Sequence, residues 1–361
     1  MTFIPRLTIP HVAGLLLVFM CGVSACAPAS LGPDMLAESK ARQGQARETR
    51  AIQTGAFADA IHHALMKKEG EKADYPRYRP DQIIDIADNL RAWQNDNGGW
   101  PKNKDWLKIL SEHQFARLMN GKSGGHSTLD NGSTWSQIDY LARVRRQTGL
   151  TDFDESILSG IDYILRNQRA SGGWRGADVD AITFNDDVMT GALRIMRQVT
   201  RDDDLYGFVD ADRRHRAGKA WDRGIACILK CQIRVNGRLT AWCQQHSHKT
   251  YQPVWARSFE PPSITAAESV PVVQLLMEID NPSPEVIQAV ESAVTWFDKV
   301  KIKGIRVDKV AATPIHFPYH YSDYDLKVVE DPDAPPIWSR YYDLETEIPI
   351  FCTRRKQIVD T

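Results

Sequence analysis

Apolar residues along the chain recur at helical spacing, in blocks separated by turns. Residues 136–147 (SQIDYLARVRRQ) place Ile138, Leu141 and Val144 on one side of a helix. Residues 186–199 (DDVMTGALRIMRQV) put Val188, Leu193, Ile195 and Met196 mostly on one side and open on an acidic first turn. Residues 266–279 and 284–299 are strongly amphipathic, and Pro284 suits a first helical position. After about residue 300 the pattern fades. Pro, Asp and Tyr crowd residues 316–333, which predicts long irregular loops packed against the helices.

Three stretches repeat: 84–100 (IDIADNLRAWQNDNGGW), 157–174 (ILSGIDYILRNQRASGGW) and 221–242 (WDRGIACILKCQIRVNGRLTAW). Each is a helical run with a Gln near its end, then a Gly-containing turn and a Trp. Gln94, Gln168 and Gln232 fall 74 and 64 positions apart, so the period is loose. Helix–turn–helix units repeating in this way predict an all-α fold, an α/α toroid with long irregular loops and a loop-rich C-terminal region. The loops would line one face and build the site there.

Residues 1–26 do not belong to that fold. A short apolar run at 12–23 (VAGLLLVFMCGV) matches a signal-peptide core and is too short to span a bilayer comfortably. Val23-Ser24-Ala25-Cys26 resembles a lipobox, in which the cysteine becomes the lipidated first residue. Ala25-Cys26-Ala27 also fits an ordinary cleavage site. The expectation is an exported protein, periplasmic or anchored to the outer membrane through Cys26, with free secretion as the alternative. Residues 27–55 read as a tether and 56–361 as one catalytic domain, expected to be a monomer. Outside the cytosol, Cys227, Cys231, Cys243 and Cys352 become candidates for pairing. Cys231 and Cys243 flank a turn and form the better pair. A zinc site from Cys231, Cys243, His246 and His248 has a spacing that matches no standard finger.

Composition narrows the class without naming a partner. Of 361 residues, 42% are hydrophobic and 25% charged, an ordinary globular balance. Forty-five basic residues against 46 acidic ones leave no general attraction for nucleic acid. Ten tryptophans are many, and although such rings can stack on sugars, the commoner use of each is in a core.

Four clusters carry chemical potential. Asn97-Gly98-Gly99-Trp100-Pro101-Lys102-Asn103 is a tight loop that projects Lys102. Residues 127–134 put Asp130 and Asn131 just before a helix, where Ser133 or Thr134 suits a cap and the adjacent oxygen donors suit a hard cation such as calcium. Phe184-Asn185-Asp186-Asp187 repeats the theme, and there the helix dipole stabilises the acidic pair. Residues 241–262 form a long aromatic loop in which Arg257 and Glu260 stand at i, i+3. A further arginine, Arg340, lies among aromatics in Trp338-Ser339-Arg340-Tyr341-Tyr342. Arginines near a cation-binding carboxylate site suggest an anionic substrate that bears carboxylates.

Taken together, NGGWPKN, STLDNGSTWSQIDYLARV, FNDDVM, AWCQQH, VWARSFEPPSI and WSRYYDLET fall in order across residues 80–350. In this the chain resembles the family 10 pectate lyases. The resemblance implies calcium-assisted anti-β-elimination on polygalacturonate. It implies a metal held by Asp130, Asn131 and Asp187, with Asp186 beside them. It implies Arg257 as the base, Glu260 orienting it, Arg340 gripping a substrate carboxylate and Lys102 making a second carboxylate contact. Trp135, Trp242 and Tyr251 stack on sugar or simply pack. Ser133 stands at a small-residue position of the family pattern, and the chain stops soon after Phe351-Cys352-Thr353, where a further terminal segment is expected. Two rivals remain. A terpenoid cyclase also uses Gln…Gly…Trp repeats but needs a denser aspartate motif than Asp186-Asp187. A non-catalytic pectin-binding lipoprotein on the same fold would have no need of Arg257, Asp130 and Asp187 together.

Overall fold

The computed structural model describes residues 50–201 and 205–359. The signal segment and most of the tether therefore lie outside the described residues. Among the described residues nine helices carry the frame: α1 (Ala58–Leu65), α2 (Ile83–Trp93), α3 (Glu112–Gly121), α4 (Trp135–Thr148), α5 (Asp154–Asn167), α6 (Val188–Thr200), α7 (Ala211–Cys231), α8 (Ala266–Met277) and α9 (Pro284–Val300). Helix α4 packs between α2, α5 and α6, and α6 between α4, α7 and α8, so α4, α6 and α8 form an inner layer under α2, α5, α7 and α9. Helix α6 buries Val188, Met189, Leu193, Ile195, Met196 and Val199, more than one apolar stripe, because neighbours cover it on several sides.

The sequence repeat is a structural one, built from a recurring pair of hydrogen bonds. The Gln94 side-chain amide donates to the carbonyl of Gly98 in its own turn (2.8 Å) and to that of Ser156 in the next outer helix (2.9 Å). Gln168 does the same to Gly172 (2.9 Å) and Ala220 (2.8 Å), and Gln232 to Thr240 (2.9 Å) and Ala289 (2.8 Å). Each tryptophan then drops into the core and returns its indole N–H to the preceding helix. Trp100 reaches Leu90 (2.7 Å), Trp174 reaches Ile164 (2.8 Å) and Trp242 reaches Ile228 (2.8 Å). Trp242 is thus a packing residue and not a sugar platform. The turns need glycine for two reasons. Gly98 and Gly172 have φ of +85° and +91°, and a Cβ there would lie 2.3 and 2.2 Å from the carbonyl oxygens of Ser159 and Arg223. Gln232→Ala would strip two buried carbonyls of their donor, an expected loss of about 3 kcal/mol. Urea denaturation measures it, and a loss below about 1 kcal/mol would remove the lash from the stability argument.

The expectation of an all-α toroid with irregular loops at the C-terminal end is overturned. Helix makes up 44% of the described residues and strand 16%, a mixed composition. Ile305–His316 and Tyr321–Glu330 form a long antiparallel hairpin where loops were predicted, with Val307 opposite Val328 and Ala311 opposite Tyr324. Both faces of this ribbon are largely exposed, so no buried stripe marks it in the sequence. The other strands have two to four residues, too few to show alternation. They nevertheless place functional loops. Ile182–Thr183 pairs with Gln245–His246, which joins the turn at residues 185–187 to the third repeat loop. Ile264–Thr265 pairs with Tyr341–Tyr342, which brings Arg340 to the head of α8.

The cysteine expectations fare no better. Cys227, Cys231, Cys243 and Cys352 are all free thiols, so Cys231 and Cys243 are not bonded. No cluster of three or more His, Cys, Asp or Glu side chains placed to hold a metal occurs among the described residues, so Cys231, Cys243, His246 and His248 do not form one, in keeping with their non-standard spacing. His246 is fully buried, its ring bonded to the Cys243 N–H (3.0 Å) and the Tyr251 carbonyl (2.8 Å), and desolvation pulls its pKa down to about 4.

Candidate active site

Two short turns meet under α1: Asp130–Gly132, ahead of α4, and Asn185–Asp187, ahead of α6. Neither helix is capped as the sequence suggests. The Thr134 hydroxyl donates to the Thr128 carbonyl (2.7 Å) and accepts from the Trp100 N–H (2.9 Å), which locks the first repeat loop to the turn. Four non-glycine residues here take positive φ: Asn131 (50°), Thr134 (66°), Asp186 (54°) and Asp187 (56°). Asn and Asp tolerate this region, but a β-branched Thr does not, so Thr134 stores on the order of 1–3 kcal/mol of strain.

The strain brings oxygen donors together. Asp130 is 4% exposed, and its carboxylate takes a hydrogen bond from the Asp186 carboxyl. Its Oδ2 also accepts from Lys102 Nζ (3.0 Å) and from the Ala177 N–H (3.2 Å). Burial works against the Asp130 charge, but these three donors outweigh it and hold its pKa below the ordinary value. Asp186 goes the other way. Burial first, and then the charge and hydrogen bond of Asp130, push it up to about 8. Two close carboxyls cannot both ionise freely, so the charge is favoured on Asp130 and the proton on Asp186. Asn131 donates its amide N–H to Asn103 (2.5 Å), which leaves its amide oxygen without a role in that bond. Asp187 stands apart from this pair and accepts from the Thr190 hydroxyl (2.9 Å).

A second cluster carries positive charge. Arg257 grips Glu260 twice, Nε to Oε2 at 3.0 Å and Nη2 to Oε1 at 2.6 Å, and its backbone N–H adds a third bond to Oε2 at 3.0 Å. Arg340 Nη2 lies 3.6 Å from the same Glu260 carboxylate and bonds Glu268 at 2.8 Å and the Asn185 amide oxygen at 3.4 Å. The Glu260 hydrogen bonds raise the Arg257 pKa further above its ordinary value. Burial opposes the charge of Glu260, yet Arg257 and Arg340 together hold its pKa low. Asn185 ties the two clusters together, since its amide also donates to Asp186 Oδ2 (2.8 Å). The carboxyl pair, Lys102, Arg257, Glu260 and Arg340 therefore form one neighbourhood. Asp187 sits in the same turn with its side chain engaged elsewhere.

Three residues of this neighbourhood were not singled out from the sequence. Asp178 lies 3.4 Å from Lys102, and nothing in its loop marks it. Glu268 is buried against Arg340 but reads as an ordinary acidic residue in the first turn of α8. Asn185 stands inside the quoted FNDD motif without an assigned role.

The pectic acid lyase family model matches residues 94–360. The chain belongs to this family. Its activity is that of a pectate lyase, cleaving a pectic polysaccharide by elimination. The fold resembles that of a family 10 polysaccharide lyase from Cellvibrio cellulosa, at 26% identity and a TM-score of 0.62, covering 86% of this chain and 88% of that one. An Asp-to-Ala mutant of that lyase in complex with trigalacturonic acid matches at 25% identity and a TM-score of 0.63, covering 86% and 90%. No curated protein sequence gives a significant match. In this pectic acid lyase the six motifs that carry the resemblance all lie at or beside the neighbourhood described above.

Proposed function

We propose that the enzyme cleaves α-1,4-linked polygalacturonate by calcium-assisted anti-β-elimination at the Asp130–Arg257 neighbourhood. The observation that carries this reading is the close carboxyl pair of buried Asp130 and half-buried Asp186, set within reach of Lys102 and two arginines. The donor set is oxygen only and suits calcium. Asp130, Asn131 and Asp186 would hold the ion, with Asp187 as an outer donor. Two or three protein oxygens make an incomplete shell, which a substrate carboxylate would help to fill. Calcium, when bound, would neutralise the uronate carboxylate and so acidify the proton on the adjacent C5.

The chain's own groups do the rest. Arg257 removes the C5 proton, the C5–H electron pair forms a C4–C5 double bond, and the C4–O pair leaves on the glycosidic oxygen, which takes a proton from solvent water to become the hydroxyl of the departing sugar. Glu260 positions Arg257. The ion pair favours a protonated guanidinium, so proton abstraction requires the charge of Glu260 to be drawn away. Arg340, 3.6 Å from that same carboxylate, is placed to draw it. Arg340 and Lys102 also offer cations to the uronate carboxylates on either side of the cleaved bond.

The test is an assay on polygalacturonate that follows the ultraviolet absorbance of the new conjugated double bond, with and without chelator. Product formation abolished by chelator and restored by calcium is expected. Saturated products would exclude elimination, and oligogalacturonate binding without turnover would leave a pectin-binding protein on this fold. A second expectation follows from the Asp186 carboxyl, which burial and the neighbouring Asp130 push up to about 8. A cation must displace its proton, so calcium affinity should rise roughly tenfold per pH unit up to about pH 8 and level off above. Calorimetry across that range reads the slope. A flat profile from pH 6 to 9 would remove Asp186 from the metal shell.

A further inference from the structure

A recess of about 460 Å³ lies beside the catalytic neighbourhood, lined by Tyr75, Trp93, Asn103, Lys104, Lys108 and Arg117 among others. Its position is fixed by the loop 101–105. Asn103 lines the recess and accepts the Asn131 amide N–H at 2.5 Å, while the preceding Lys102 reaches Asp130 at 3.0 Å. One wall of the recess is therefore the back of the turn that holds the carboxyl pair. Helix α1, which packs on that same turn, contributes Ala64 to the lining.

The recess is cationic, and its charge is not balanced from within. Lys104 Nζ sits 5.2 Å from the centre of the Trp93 ring, and Lys108 Nζ 4.4 Å from that of Tyr75. Aromatic faces hold ammonium groups in place without neutralising them. Trp93 is itself fixed, edge-on to the buried Trp106 at 6.1 Å. Arg117 projects from α3 at the exposed rim. Among the described residues none of the three cations makes an ion pair. The one acid in the lining, Asp105, is taken up by Arg77 (2.9 Å), the Tyr75 hydroxyl (3.1 Å) and the Leu107 N–H (3.1 Å). Burial also lowers the Lys104 pKa, as expected of an ammonium without a counter-anion.

We propose that this recess is a distal subsite that binds a galacturonate residue of the same pectate chain, away from the bond being cleaved. The proposal rests on the pectate reading above. A neutral sugar has no use for three unpaired cations. A uronate brings one carboxylate per ring, matched to Lys104, Lys108 and Arg117, and a ring face that can cover the exposed edges of Tyr75 and Trp93. Asn103 lines the recess and bonds the turn that carries Asp130, so a chain lying across Lys102 would reach the recess around the loop 101–105. The subsite is engaged only by chains long enough to pass the catalytic neighbourhood.

The test uses the Lys108→Ala/Arg117→Ala double variant, whose two side chains lie towards the surface, and galacturonate oligomers of increasing length. The wild-type gain in kcat/KM from the trimer to the hexamer should shrink by about tenfold, through KM, while kcat and the trimer values stay unchanged. Equal losses on trimer and hexamer, or no loss on either, would overturn the proposal. Calorimetry with hexagalacturonate in chelator gives a readout independent of turnover. The double variant should bind about tenfold more weakly than wild type, and equal binding would overturn the subsite. If wild type proves to have no lyase activity while this binding difference persists, the functional reading falls and the recess remains a uronate site.

Discussion

Replacing Arg257 with alanine is expected to lower kcat on polygalacturonate by about 10³-fold, within the range found when a positioned proton acceptor is removed. Oligogalacturonate binding should be largely retained, because Arg340 and Lys102 still supply cations. The expectation is demanding, because the free enzyme locks Arg257 to Glu260 through three hydrogen bonds and so favours its protonated form. Two readings of that lock separate experimentally. If Arg257 is the base, Glu260→Gln should lower the pH at which kcat rises, since the Glu260 charge is what pushes the Arg257 pKa up. If Arg257 only clamps a carboxylate, Arg257→Ala should raise KM by more than it lowers kcat, and the pH profile of Glu260→Gln should not move.

The Asp130→Ala substitution should be nearly as damaging, with kcat/KM lowered by about 10²- to 10³-fold, because it removes the buried carboxylate of the proposed calcium site. Its second consequence is easier to isolate. Calcium bound only by the folded chain should raise the wild-type Tm, and that rise should vanish in the variant. Asp187→Ala should keep most of the rise, since its carboxylate faces Thr190 and not Asp130. A calcium-induced shift that survives Asp130→Ala intact would place the ion elsewhere. A shift lost in Asp187→Ala but kept in Asp130→Ala would reverse the assignment between the two aspartates.

The sequence carried the repeat well. Gln94, Gln168 and Gln232, with their glycine turns and tryptophans, marked three units that the structure joins by one recurring pair of bonds. The inner helices were legible for the same reason: the core of a helical pair leaves a period that apolar residues reveal. The strands were not legible. A pair such as Ile264–Thr265 with Tyr341–Tyr342 is defined by a partner almost 80 residues away and leaves no local trace. The Ile305–His316 ribbon, exposed on both faces, lacks the buried stripe on which strand reading depends. At the site, the motifs located Asp130, Arg257 and Arg340, but not what those residues touch. Glu268 and Asp178 have meaning only through Arg340 and Lys102, and those contacts join segments more than 70 residues apart. The sequence grouped Asp186 and Asp187 as one acidic pair. The left-handed backbone at both sends one carboxyl to Asp130 and the other back to its own helix.

The glutamine lashes bear on how the molecule assembles. Each fastens a turn to the next outer helix only: Gln94 to Ser156, Gln168 to Ala220, Gln232 to Ala289. None reaches past its immediate successor. A chain organised in this way behaves as a short row of coupled neighbours, in which structure formed at one unit provides a template for the following one. Loss of a lash should then loosen the frame locally, with fast amide exchange confined to the two units it joined and protection persisting in the third.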